Sequence, residues 1–146
     1  MLIRNCAGGV VFNNDKVLLL KNEKDEWVFP KGVIRNDQLA HEVAVSRVKH
    51  EAGVAADIVE PAGQTSYEFY SISRRRPVCN RITWYLMTSD EVEAFVNKEE
   101  GFSEGGFFPY EQALELITYS QDRSLLSFSH KRLEEQSKDA NEEQKE

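Results

Sequence analysis

Arg47, His50 and Glu51 lie three and four residues apart in a stretch with helical period, so their side chains share one face of a helix. Glu51 brings a carboxylate that can ligate a metal ion. A hard Mg²⁺ ion wants several oxygen ligands, and one carboxylate is few. His50 could help to hold a softer ion such as Mn²⁺, Fe²⁺ or Zn²⁺, but a neutral imidazole adds no negative charge. Arg47 opposes any cation. Its guanidinium stays protonated at ordinary pH, and at about 4 Å with an effective dielectric near 20 it repels a divalent ion by several kcal/mol. Two readings are open: Arg47 offers a fixed positive fork to a phosphate, or it forms an i,i+4 surface salt bridge with Glu51 and binds no ligand.

Other side chains suit an anionic, aromatic ligand. Arg74, Arg75 and Arg76 sit consecutively in a strand-joining turn, and with Lys31 and Arg35 they could form a cationic rim for a polyphosphate. The same arginines also suit a solvated hairpin tip. Tyr67, Phe69, Tyr70, Trp84 and Tyr85 could stack on a nucleobase, although strand alternation puts only half of them on one face and the core claims most. Glu42 falls on a different helical face from Glu51, and His41 and His130 read as ordinary surface residues. Cys6 and Cys79 are too few and too far apart for a disulfide framework or a zinc knuckle, so both are expected to be reduced and buried.

These residues need elements to position them. Arg4 to Phe12 and Lys16 to Lys21 are β-rich runs joined by Asn13-Asn14-Asp15, which predicts a hairpin. Trp27-Val28-Phe29-Pro30-Lys31-Gly32 reads as a shaped loop, because Pro and Gly forbid a helix there. Ala40, Ala44, Val48 and Ala52 recur every four residues, predicting a helix from Asp37 to about Ala52 that ends at Gly53. Extended structure resumes at Ile58, and Tyr67 to Ile72 and Val78 to Met87 predict two antiparallel strands around the basic turn. Thr88 with Glu91 is a capping-box signature for a short helix carrying Val92 and Phe95. Gly105 to Phe108 suits a last strand, and Pro109 followed by Tyr110 to Ile117 suits a helix start. Thr118 with Gln121 opens a final helix carrying Leu125, Leu126, Phe128 and Leu133. A mixed sheet flanked by helices follows from this order.

The chain has 146 residues, 40% of them hydrophobic, which suits one domain with one ordinary core. That domain is expected over residues 1–133, with 134–146 fraying into an acidic, disordered tail. The formal charge is −7, of which −4 belongs to that tail. Such a balance argues against a domain that coats nucleic acid. No apolar run nears the roughly 20 residues of a membrane span, and the start does not read as a signal peptide, so the cytoplasm is the expected location.

Gly32 to Val54 resembles the box of the Nudix hydrolase family, Gly-x5-Glu-x7-Arg-Glu-U-x-Glu-Glu-x-Gly-U with U aliphatic. Gly32, Val48, Glu51, Gly53 and Val54 stand at matching positions, and Trp27-x-Phe29-Pro30-Lys31-Gly32 before them is also typical. Ala7-Gly8-Gly9-Val10-Val11 and Phe107-Phe108-x-x-Glu111-Gln112-Ala113 extend the likeness. The resemblance implies an α/β/α sandwich with a mixed sheet, and Mg²⁺ or Mn²⁺ held by helix glutamates against a substrate diphosphate. Here Gln38, Ser46, Arg47 and His50 replace Glu, Arg, Glu and Glu. Glu51 and His50 are left as the metal-ligand candidates, and weak binding or none is expected. Gln38 and Ser46 also remove the charged brace that joins loop to helix in the family. The resemblance further implies that Lys31 and Gly32 lie beside the substrate. Glu104, in the region of Glu99 and Glu100, falls where some members carry a further catalytic glutamate, a general base for Glu51's site. The expected ligand is a nucleoside diphosphate-linked compound, with dinucleoside polyphosphates included, either hydrolysed weakly or only bound. Homodimer formation is left open.

Overall fold

The structure, a computed structural model, describes the backbone of residues 1–145 and the side chains of residues 1–141. Strand β1 (Leu2–Asn13) is the spine of the sheet. It pairs antiparallel with β2 (Lys16–Lys21) and β4 (Lys31–Val33), and parallel with β6 (Arg76–Thr88). Strand β5 (Asp57–Ser71) pairs antiparallel with β6 and forms one edge. On the other side β2 pairs with β3 (Trp27–Val28) and β7 (Glu104–Pro109). The first hairpin forms as predicted, with Asn14 at φ 52° in its turn.

Strand alternation explains the layers. Val10, Phe12, Val17 and Leu19 point to one face, where they pack on Ala113 of α2 (Tyr110–Leu116), on Ile117 just after it, and on Leu125 and Leu126 of α3 (Ser120–Lys145). Val11, Leu18 and Leu20 point to the other face and pack on Val43, Ala44, Val48 and Ala52 of α1 (Ala40–Ala52). β1 and β2 are thus buried on both faces, which is why they read as near-continuous apolar runs. The result is the expected α/β/α sandwich around a mixed sheet. Cys6 and Cys79 are free, buried thiols, as expected.

Several local expectations need correction. Helix α1 starts at Ala40 rather than Asp37, because Asp37 adopts φ 67° in a tight turn where Gln38 Oε1 accepts from Arg35 N at 2.9 Å. The segment predicted as a loop contributes the two short strands β3 and β4, which bracket Phe29-Pro30. The short helix expected to carry Val92 and Phe95 does not form. Phe95 N and Asn97 N donate instead to Ala52 O and Glu51 O, satisfying carbonyls at the open end of α1. Glu91 serves that clamp by accepting from Ala55 N, and Val92 and Phe95 are left 75% and 70% exposed. Thr118 and Gln121 do not cap α3; Thr118 Oγ1 accepts from Trp27 N, and Gln121 bonds across to Ser66. Helix α3 runs on through the acidic segment expected to fray after Leu133, as far as Lys145. Residue 146 lies outside the described residues.

Candidate functional site

Helix α1 carries Arg47, His50 and Glu51 on one face, and Glu51 is buried at 3% exposure. Arg47 grips it with two groups, donating to Glu51 Oε2 from Nε at 3.0 Å and from Nη2 at 2.5 Å. The other carboxylate oxygen, Oε1, accepts from Lys31 N at 3.3 Å. Burial pushes the Glu51 carboxyl above its ordinary value, outweighing the opposing pull of Arg47 and Lys31. Gly32 makes room for this arrangement, since a Cβ there would collide with Arg47 Nε, Cδ and Cγ. Gly32 therefore acts by letting the guanidinium stem cross β4.

A second carboxylate joins from a 3-10 turn, Lys98–Glu100, capped by Asn97 and by Gly101 at φ 90°. Glu100 Oε1 lies 2.9 Å from His50 Nε2, and Glu100 Oε2 accepts from Arg47 Nη2 at 3.4 Å. The hydrogen bond with His50, aided by the charge of Arg47, holds Glu100 below the usual carboxylate range. Glu104 is not part of this group. It opens β7 and pairs with Lys21 at 3.3 Å, so Glu100 is the glutamate that meets α1.

Beside the network lies a cavity of about 520 Å³. Phe29 and Trp84 form its buried floor, meeting edge to face with centroids 5.5 Å apart. Lys31 and Glu100 stand at the α1 side, and Tyr67, Tyr119 and Asp122 at the far side. Lys31 and Tyr67, both named from sequence, line this cavity. Three of the five aromatic candidates, Tyr67, Phe69 and Tyr70, are exposed rather than core. Arg35 is exposed and does not line the cavity. Arg74, Arg75 and Arg76 sit at the β5–β6 tip, and Arg76 is separated from Trp84 along β6 by roughly 26 Å at about 3.3 Å per residue. They are not part of the cavity rim.

Sequence reading passed over several residues here. Asp122, in the first turn of α3, lines the cavity, and burial pushes its carboxyl up to about 6 against the pull of Lys31. Tyr119 donates to Glu26, and that bond raises the phenol to about 12. Burial works to raise Glu26, but the bonds from Tyr119 and Asn22 outweigh it and leave that carboxyl lowered. His130 is no ordinary surface residue: it stacks on Tyr110 at 3.6 Å and 6°, with its Nε2 2.7 Å from Asp15. These groups come from distant segments, and their contacts depend on the fold rather than on any local spacing.

The donor set at α1 is a poor fit for a hard divalent ion. Only Glu51 of the three facing positions is a carboxylate, and protein donors already engage both its oxygens. Among the described residues no cluster of three His, Cys, Asp or Glu side chains is placed to hold a metal ion, and no helix is long and apolar enough to cross a membrane.

Comparison with known proteins agrees with the architecture. The C. elegans Ap4A hydrolase, in a binary complex, matches with 17% identity over 89% of this chain and 97% of its own, at a TM-score of 0.67. The E. coli dihydroneopterin triphosphate pyrophosphohydrolase matches with 15% identity over 86% of this chain and 95% of its own, at 0.66. A MutT NUDIX hydrolase from Burkholderia pseudomallei matches with 16% identity over 87% and 98%, at 0.65. At such identities the likeness is one of fold. A family model described as the NUDIX domain matches residues 2–128, and with the box on α1 and the sandwich around it the chain belongs to the Nudix family.

Proposed function

We propose that this protein recognises a nucleoside diphosphate-linked compound in the cavity beside α1, with the family's metal-assisted hydrolysis weak or lost. The observation that carries this reading is the two-point grip of Arg47 on buried Glu51, which puts a fixed positive charge where the family places a carboxylate. Arg47 and Lys31 then meet the phosphates as charge-assisted donors that need no metal, with His50 beside them. Tyr67, Tyr119 and Phe102 offer aromatic surface to a base above the Phe29–Trp84 floor. Dinucleoside polyphosphates are the first compounds to test, since the C. elegans relative is an Ap4A hydrolase with a similar fold.

Slow turnover is the second form of this reading, and the proximity of His50 to Glu100 favours it, because that pair could take a proton from water. A small phosphorylated ligand, two buried free thiols and the acidic balance all support a cytoplasmic location, and the edge position of β5 in the sheet leaves room for a homodimer. The test is nucleotide binding by calorimetry with and without chelator, run beside a phosphate-release screen over nucleoside diphosphate derivatives. Binding that survives chelator with little or no release supports the proposal. Rapid release that requires Mg²⁺ or Mn²⁺ and vanishes in Glu51→Gln overturns it.

A further inference from the structure

The β5–β6 hairpin carries a surface that the cavity does not use. Gln121 of α3 acts at the edge of β5 as a residue of a neighbouring strand would, its Oε1 accepting from Ser66 N at 3.3 Å and its Nε2 donating to Ser66 O at 3.0 Å. Backbone groups of one parity in a strand point the same way, and no register shift interrupts β5 between Gln64 and Ser71. Glu68 and Tyr70 therefore turn their N–H and C=O outward as Ser66 does, and among the described residues nothing pairs with them. Around this open ladder stand Phe69, Tyr70 and Ile72, 37%, 62% and 86% exposed. An unpaired edge with apolar side chains is a template for a further strand. Residues 66–81 also carry four arginines against Glu68 alone, a balance of +3 in a chain of −7, which leaves −10 for the remainder. Among the described residues none of Arg74, Arg75, Arg76 and Arg81 enters an ion pair.

Resting on the homodimer reading above, and independent of the ligand, we propose that this edge pairs with itself: β5 of a second copy adds antiparallel across a twofold axis at Phe69. Outward-facing residues must oppose one another, which allows Glu68 against Glu68, Tyr70 against Tyr70, or Glu68 against Tyr70 of the second copy. The first sets like charges directly opposite and displaces Gln121 from Ser66. The second leaves only residues 69–71 in the ladder, since β5 ends at Ser71. The third runs the pairing from Tyr67 to Ser71 with four backbone hydrogen bonds, and sets Phe69 against its own copy in a non-hydrogen-bonded pair, where side chains meet closely. It also stops where Gln121 holds Ser66. The arginine turn of each copy then lies past Ser66 of the other, toward the first turn of α3, where Asp122 faces the cavity with no donor among the described residues. A twofold of this kind keeps the two arginine turns apart and sets each against the acidic remainder of the other copy.

The experiment is sedimentation equilibrium of the full chain under reducing conditions, beside oxidative cross-linking of two cysteine variants. A patch of this size belongs with the transient interfaces below about 1,200 Å², so a monomer–dimer equilibrium is expected, with a dissociation constant of roughly tens of micromolar. Tyr70→Pro removes an outward N–H without touching the ladder to β6, a place where an edge strand tolerates proline, and should weaken the dimer at least tenfold. With oxidised glutathione, Phe69→Cys should link to its own copy at least tenfold faster than Ile72→Cys. Opposed Cα atoms at position 69 stand about 4.5 Å apart, within reach of a disulfide. Position 72 is more exposed but lies roughly 20 Å from its copy along the ladder. Each link consumes one oxidised glutathione and releases two molecules of the thiol. Circular dichroism matching the natural protein shows that a variant is folded. An unchanged dissociation constant in Tyr70→Pro, or linking of Ile72→Cys as fast as that of Phe69→Cys, overturns this interface while leaving a homodimer standing. A natural protein that stays monomeric up to about 500 µM, well above the expected constant, overturns both.

Discussion

Arg47→Met tests how much the fold depends on one ion pair. Glu51 is 3% exposed and takes two donor contacts from Arg47 at 3.0 and 2.5 Å, with only Lys31 N–H left once Arg47 is gone. Removing one partner of a buried pair strands the other charge and costs about 3–5 kcal/mol. Arg47 itself is 27% exposed, so the lower figure of about 3 kcal/mol applies here. At roughly 2–4 °C per kcal/mol for a domain of this size, melting should fall by about 10 °C. The loss should depend on pH in a defined direction. Burial already raises Glu51, and without Arg47 it rises further, so the native state holds a proton that the unfolded chain has released. The stability from that proton is present below the unfolded value and is lost as pH rises through the folded one. Urea denaturation at pH 5 and pH 8 is the assay, with Arg47→Met, Glu51→Gln and the double variant forming a cycle. The double variant should recover most of the loss. A loss below about 1 kcal/mol at pH 8, the size of a surface pair, would refute the reasoning.

Four other variants probe the same geometry. Glu100→Gln removes the carboxylate that now engages Arg47 and His50, so pyrophosphate should bind several-fold more tightly by calorimetry. Asp122→Asn should stabilise the fold at pH 7 and not below about pH 3.8, because a carboxyl raised from 3.8 to about 6 loses its contribution as pH climbs through that window. Such a shift is worth about 3 kcal/mol in full, and the opening of Asp122 onto the cavity reduces the expected gain to about 1–2 kcal/mol in urea denaturation. Gly32→Ala should displace Arg47 from Glu51 and lower melting, while Gly106→Ala, where a Cβ meets nothing nearer than 4.0 Å, should not act through crowding.

Several local signals in the sequence held in the structure. Period-four alanines marked α1, Asn14 marked its hairpin, and the box put Arg47, His50 and Glu51 on one face. The choice between a phosphate fork and a salt bridge was not legible, because it depends on the burial of Glu51. That burial is set by β4 and by the clamp of residues 95–97 on the end of α1. Glu100 and Glu104 lie in one acidic stretch, and only the capped 3-10 turn and the pairing of β7 with β2 separate their destinations. Thr118 and Gln121 looked like a cap because the spacing is right. Tertiary partners, Trp27 and Ser66, took their side chains instead. Asp122 carries no sequence signal, since its lack of a donor is a property of the folded cavity.

Titrating Mg²⁺ and Mn²⁺ by calorimetry into the natural protein and into Arg47→Glu/His50→Glu compares the helix with and without its cationic side chain. The natural protein should show no saturable site at Glu51, and the double variant should gain one with an affinity at least tenfold higher. A tight site in the natural protein that is lost in Glu51→Gln, or equal affinity in the two proteins, would contradict the claim that Arg47 takes the place of the ion.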